Sequence, residues 1–265
     1  MAKAIKVVRP SAFRTLCMGL GVASLSLTSG VRGQSAEFLA VERKARQALA
    51  VFGCSSEAGH AANAGRFGPV DPSMDLITCL SAPAERQGVA FEFRPPEPRV
   101  RNARVVDLRS GQRVTAPVDT ARLAQEMIAM IRASRQSVTN DLPGRKHIPL
   151  VLRTAGDTIE VWYVPTTQVS EGQSWIPRSI GGERAVVVAP DGGSLIRVLN
   201  EQSAWRAFTP DTSGLVLIRS EGEEVPSLSE MMACLQVVME GRGAAIETRR
   251  WTYVRLGTGW AVSPR

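Results

Sequence analysis

Short apolar segments in the second half of the chain come in pairs around tight turns, and this restricts the fold more than any other feature. Residues 150–154 and 158–164 flank Ala155, Gly156 and Asp157; residues 183–189 and 194–199 flank Pro190, Asp191, Gly192 and Gly193; residues 251–256 and 260–262 flank Gly257, Thr258 and Gly259. Strands joined by so few residues pair antiparallel, since a parallel pair needs a crossover of about a dozen residues or more. Residues 214–219 and 244–248 read as further strands. Earlier in the chain, residues 88–94 form a strand, and residues 104–108 and 112–115 form a hairpin around Ser110 and Gly111.

Three segments carry helical periodicity instead. In residues 36–52 the apolar positions Phe38, Val41, Ala45, Leu49 and Phe52 recur at three and four, with Glu42 and Arg46 placed to pair on the outside. Residues 120–135 carry the stripe Leu123, Met127, Met130 and Ile131, with Asp119 as the cap. The third helix begins at the capping box of Ser227 and Glu230 and stops before Gly241. Its expected buried face is Leu228, Met231, Met232, Leu235, Val238 and Met239. A methionine-rich stripe suits a partner helix, but core packing is the commoner use of this adaptable side chain.

The fold class is therefore α+β: a mostly antiparallel sheet with three main helices after an N-terminal signal peptide, the third helix covering one face of the C-terminal sheet. Pro143 and Gly144 interrupt the pattern near residues 140–146. The chain divides into residues 1–33, residues 34–142 and residues 143–265, or the last two form one continuous domain. Residues 94–98, Arg-Pro-Pro-Glu-Pro, read as a stiff spacer. Glu221, Glu223 and Glu224 read as a solvated acidic turn that favours the start of the third helix.

Residues 1–33 have the layout of an export signal. Lys3, Lys6, Arg9 and Arg14 precede an uncharged run over residues 16–31, and Val31 and Gly33 are the small residues before a cut after Gly33, with Ala36 as the other site. The run is diluted by Gly and Ser and is shorter than the roughly 20 residues of a spanning helix, so no transmembrane segment is expected after cleavage. Localisation follows as periplasmic or extracellular. Loss of Lys3, Lys6, Arg9, Arg14 and Arg32, with no acidic residue among residues 1–33, takes the formal net charge from +7 to +2. A nearly neutral remainder argues against a nucleic-acid partner, which calls for a basic patch.

Export also sets the thiol chemistry, because disulfides persist in oxidising compartments. Cys54 and Cys79 are the candidate pair, in or beside a stretch rich in small residues, while Cys234 sits inside the third helical pattern as a small core residue. Zinc would need three or four ligands. Cys54, His60 and Cys79 are the available set, but their spacing matches no familiar site and oxidation competes for the thiols. No metal or cofactor is expected.

No motif for nucleophilic, phosphate-binding or metal-assisted catalysis is present. The two histidines, His60 in a small-residue loop and His147 after Arg145 and Lys146, both read as solvated. Asp157, Glu160, Glu183 and Asp191 are available as acid and base, but Asp157 and Asp191 fall at turns where Asp is favoured for backbone reasons. Residues 53–75 and 165–182 read as long loops, which tend to be functional. The second contains Trp175 and Arg178, residue types enriched at binding hot spots, and these are the binding candidates. The sequence thus points to an exported, non-catalytic binding or interaction protein of the cell envelope with a protein or small-molecule partner. An envelope hydrolase whose site assembles only in three dimensions, and a structural envelope component, are the competing readings.

Overall fold

The computed structural model describes residues 34–69, 75–79, 86–93, 99–136, 145–154, 156–168, 175–176, 179–200, 206–207, 215–220, 222, 224–256 and 259–265. The expectations placed on residues 1–33, on the spacer at 94–98, on the break at Pro143 and Gly144, on Arg178, and on Glu221 and Glu223 lie outside the described residues. Residues 34–265 group as one compact unit.

Helix α1 (Ala36–Asn63) opens at Ser35, whose hydroxyl accepts from the backbone N–H of Phe38 at 3.1 Å. The helix runs past residue 52 to Asn63, through the first half of the segment expected to be a loop. The buried stripe continues as Cys54, Ala58 and Ala61, side chains too small to register as an apolar face. Gly53 and Gly59 lie where an added Cβ would touch nothing, so they do not mark a break. The same segment ends in a strand missed by sequence reading, β1 (Asp75–Cys79).

β1 opens an antiparallel sheet with β2 (Gln87–Phe93), β3 (Val100–Asp107) and β4 (Arg113–Val114), in that order. Helix α2 (Thr120–Gln136) follows, with the Asp119 carboxylate accepting from the N–H of Arg122 at 2.9 Å, as its cap position predicts. The second sheet contains β5 (Arg145–Arg153), β6 (Ile159–Gln168), β7 (Trp175–Ile176), β9 (Arg184–Val188) and β10 (Leu195–Asn200), in the order β10-β9-β6-β5 with β7 beside the end of β6. β8 (Ser179–Ile180) pairs with β11 (Arg206–Ala207). The last sheet has the order β12 (Leu215–Arg219), β13 (Gly243–Glu247), β14 (Trp251–Leu256) and β15 (Gly259–Pro264). The hairpins read from the sequence are all present. β12 and β13 pair parallel, because helix α3 (Leu228–Met239) supplies the crossover that such a pair needs.

Period-two alternation lets the sheets bury both faces. Ile159, Val161, Tyr163, Val186 and Val188 meet Ala129 and Ala133 of α2, while Leu150, Leu152, Trp162, Val164 and Ala185 join the main core with α1 and α3. Val89, Phe91, Phe93 and Val105 of the first sheet meet Leu123 and Met127 on α2. Their neighbours Ala90 and Val106 turn to Ala61 near the end of α1. α2 is thus wedged between two sheets, and α1, about 42 Å long at 1.5 Å per residue, reaches from the main core to the first sheet.

α3 covers the last sheet as expected, but it is buried on nearly every side instead of along one stripe. Met231, Met232, Ala233, Cys234 and Val237 are all fully buried, since α1 packs on one side and β13 on the other. Met239 is the exception to the expected buried face: it is 72% exposed, at the end where the chain leaves the helix through Gly241 at φ 79°. The capping box is complete. The Ser227 hydroxyl accepts from the N–H of Glu230 at 3.4 Å, and the Glu230 carboxylate accepts from the N–H of Ser227 at 2.9 Å and from the Ser220 hydroxyl at 2.6 Å. Ser227→Ala is expected to lower stability by about 1 kcal/mol, read as a lower urea midpoint with an unchanged slope.

Glu42 also departs from expectation. It does pair with Arg46, but it faces inward at 8% exposure and accepts from the buried Arg255 guanidinium at 3.1 Å. The reason lies in the aromatic seam beside it: Phe38 stacks on Tyr253 at 4.1 Å and meets the edge of Trp260 at 5.3 Å, drawing this face of α1 onto β14 and β15.

Candidate ligand cleft

Where α1, the first sheet, α2 and β5 converge, they leave a cleft of about 240 Å³. α1 contributes Gln47, Val51 and Ser55, which at spacings of four share one helix face. α2 contributes Arg122, Leu123, Glu126, Met127 and Met130 from its own single face. Ile77, Thr78 and Cys79 of β1, Phe91 of β2, and Ile148, Pro149, Val151 and Arg153 of β5 complete the walls. Most of this lining is apolar.

The disulfide fixes one wall. Cys54 on α1 and Cys79 on β1 are bonded, with their Cα atoms 5.8 Å apart, as the sequence pairing proposed. Both thiols of the suggested zinc set are therefore engaged. Cys234 is fully buried in α3, and burial pushes its thiol up to about 12, so it stays a neutral core residue.

The polar end is a chain of charged groups. Glu126 Oε1 accepts from Arg122 Nε at 3.2 Å and from Arg153 Nε at 3.1 Å. Arg153 is additionally bound by Asp157 Oδ1 at 3.1 Å, by the Gln125 side-chain oxygen at 3.0 Å and by the Arg122 carbonyl at 3.5 Å. Its side chain is 11% exposed and held from several directions. Arg122 is different: its side chain is 37% exposed and, among the described residues, its guanidinium donates only through Nε. Among the described residues, two guanidinium groups and one carboxylate line the cleft, and Asp157, the other acid on Arg153, has a side chain 71% exposed to solvent.

The residues singled out in the sequence do not gather here. Trp175 lies on β7, opposite Gln168 at the far end of β6, whereas Arg153 pairs with Ile159 at the near end. The two ends are roughly 30 Å apart along the strand at about 3.3 Å per residue. The Trp175 side chain and Arg178 lie outside the described residues. His60 is in the last turn of α1, not in a loop, and is exposed. His147 is half-buried on β5, not solvated, with Nε2 3.1 Å from the Gly182 carbonyl oxygen. Neither histidine lines the cleft.

The carboxylates weighed as acid and base hold structural places. Asp191 accepts from the backbone N–H groups of Gly193 and Ser194 in the β9–β10 turn, which hold its carboxyl below the ordinary value. Asp157 occupies a turn position at φ 61°. Buried Glu160 binds Lys44 at 2.9 Å and accepts from the Trp162 indole N–H at 2.7 Å, tying β6 to α1. Glu183, fully buried, accepts from the N–H of Ser229 at 2.9 Å and so caps α3. The cleft residues Arg122 and Glu126 were missed because an i, i+4 pair of opposite charge on a helix ordinarily reads as a solvated face. Only Arg153, arriving from β5, makes them part of a site.

No protein-family model, no curated protein and no solved structure matches the chain. Among the described residues, no helix is long and apolar enough to cross a membrane, which says nothing of a β-barrel.

Proposed function

We propose that this is an exported, non-catalytic binding protein of the cell envelope that holds a small, largely apolar ligand in the cleft between α1, α2, β1 and β5. The observation that carries the reading is the cleft itself, an apolar cavity with a few convergent polar groups at one end, the usual form of a small-molecule site. Export is supported by the basic and apolar layout of residues 1–33 and by the disulfide between Cys54 and Cys79, a bond rare in reducing compartments. Binding is preferred over hydrolysis because, among the described residues, the lining offers no histidine to activate a hydroxyl, and its cysteine is held in the disulfide.

Ser55, half-buried on α1, lines the cleft, so Ser55→Trp is expected to fill the cavity while leaving the helix in place. A small apolar fluorophore that binds the unaltered protein should lose its signal in this variant. Equal binding by the two proteins, with matching circular dichroism, would move the ligand site elsewhere. N-terminal sequencing of native material beginning at Gln34 supports export, and material beginning at Met1 counts against it.

A further inference from the structure

We infer that the ligand of this cleft is a short apolar carboxylate, with Arg122 as the group that receives its anionic end; the inference rests on the binding reading above. Pairing gives the sign. Among the described residues, the two guanidinium groups of the lining are balanced by Glu126 and by Asp157, which pairs with Arg153 at 3.1 Å. With both carboxylates committed to guanidinium groups, the terminal N–H groups of Arg122 are the charged donors left to meet a ligand, which suits an anion.

Donor accounting identifies the residue. Arg153 has its Nε and both terminal nitrogens bonded to Glu126, Asp157, Gln125 and the Arg122 carbonyl, and its burial fixes it there. Arg122 engages Glu126 through Nε alone among the described residues, so the pair of terminal nitrogens remains to face a ligand. That end of a guanidinium presents two parallel N–H groups matched to the two oxygens of a carboxylate. Glu126 then serves as the positioning residue, holding the Arg122 side chain at the cleft edge.

Beyond this polar end lie Leu123, Met127, Phe91 and Val151, which suit a hydrocarbon. At about 240 Å³ the cavity is smaller than the roughly 300–1,000 Å³ typical of drug-sized sites, so the hydrocarbon is short.

Isothermal titration with octanoate, 1-octanol and octylamine tests this. The unaltered protein is expected to bind octanoate at least about ten-fold more tightly than octanol, and octylamine more weakly than either. Arg122→Gln should remove that preference, lowering octanoate affinity about ten-fold and leaving octanol affinity unchanged, which also reports an intact cleft. Equal affinity of the unaltered protein for octanoate and octanol, tighter binding of octylamine, or unchanged octanoate binding by folded R122Q would each overturn the carboxylate assignment. In those cases the cleft would still be a binding site. Absence of binding by all three probes would overturn the cleft reading together with this one.

Discussion

Glu42→Ala is expected to destabilise the protein by about 3–5 kcal/mol, the usual cost of leaving a buried charge without its partner. Arg255 is the charge concerned. Its side chain is 8% exposed, it lies 5.2 Å from the Trp260 ring centroid, and Glu42 Oε1 accepts from its NH1 at 3.1 Å. Removing the carboxylate leaves a buried guanidinium beside the Trp260 ring with its counter-ion gone, at the seam where Phe38 of α1 meets Tyr253 of β14 and Trp260 of β15. Arg46, the other partner of Glu42, has a side chain 51% exposed, so water can replace that contact at little cost. Chemical unfolding of Arg46→Ala should therefore show a small change beside the large one of E42A. Similar losses from both would mean that the exposed pair, and not the buried one, holds the seam.

The same carboxylate gives stability a predictable dependence on pH. Burial raises the Glu42 carboxyl, but the hydrogen bond from Arg46 and the charges of Arg46 and Arg255 outweigh it, so the folded value lies below the ordinary 4.5. A carboxyl with a depressed folded value contributes stability above its unfolded value and loses it as pH falls through the folded one. The difference in unfolding free energy between the unaltered protein and Glu42→Gln should therefore be largest near neutrality and shrink below 4.5. A difference that grew on acidification would reverse the sign and refute the assignment.

The architecture was legible where local chemistry determines it. Turns such as Asp191-Gly192-Gly193 announce their hairpin because Gly192 takes φ 75°, and an added Cβ there would collide with the Gln125 carbonyl of α2. Ser227 and Glu230 announce α3 because capping is settled within four residues. Features set by distant partners were not legible. The second half of α1 is held by Cys54, Ala58 and Ala61 against the first sheet, and small residues give no periodic signal until that sheet is in place. Glu42 looked like half of a surface pair because Arg255 lies far along the chain, and the cleft escaped notice for the same reason, its guanidinium groups coming from α2 and β5. The parallel pairing of β12 with β13 likewise depends on α3 serving as a crossover instead of only a cover.

Replacing both Cys54 and Cys79 with alanine is expected to cost about 3 kcal/mol, from the entropy of the unfolded chain that the crosslink removes. The bond closes a sequence separation of 25 residues. For a domain of this size the corresponding fall in melting midpoint is about 6–12 °C. Cys234 cannot substitute for either partner, because it is fully buried within α3 in the main core. The loss should also have a local component. Among the described residues, β1 is an edge strand paired with β2 alone, and the crosslink ties it to α1. Amide exchange at residues 75–79 should therefore accelerate more in the double variant than exchange in β6, which is flanked by β5 and β9. Since Ile77, Thr78 and Cys79 form one wall of the cleft, affinity for octanoate should fall in the same variant. A lowered midpoint with unaltered exchange at β1 and unaltered octanoate affinity would confine the crosslink to the unfolded chain and deny it any part in shaping the cleft.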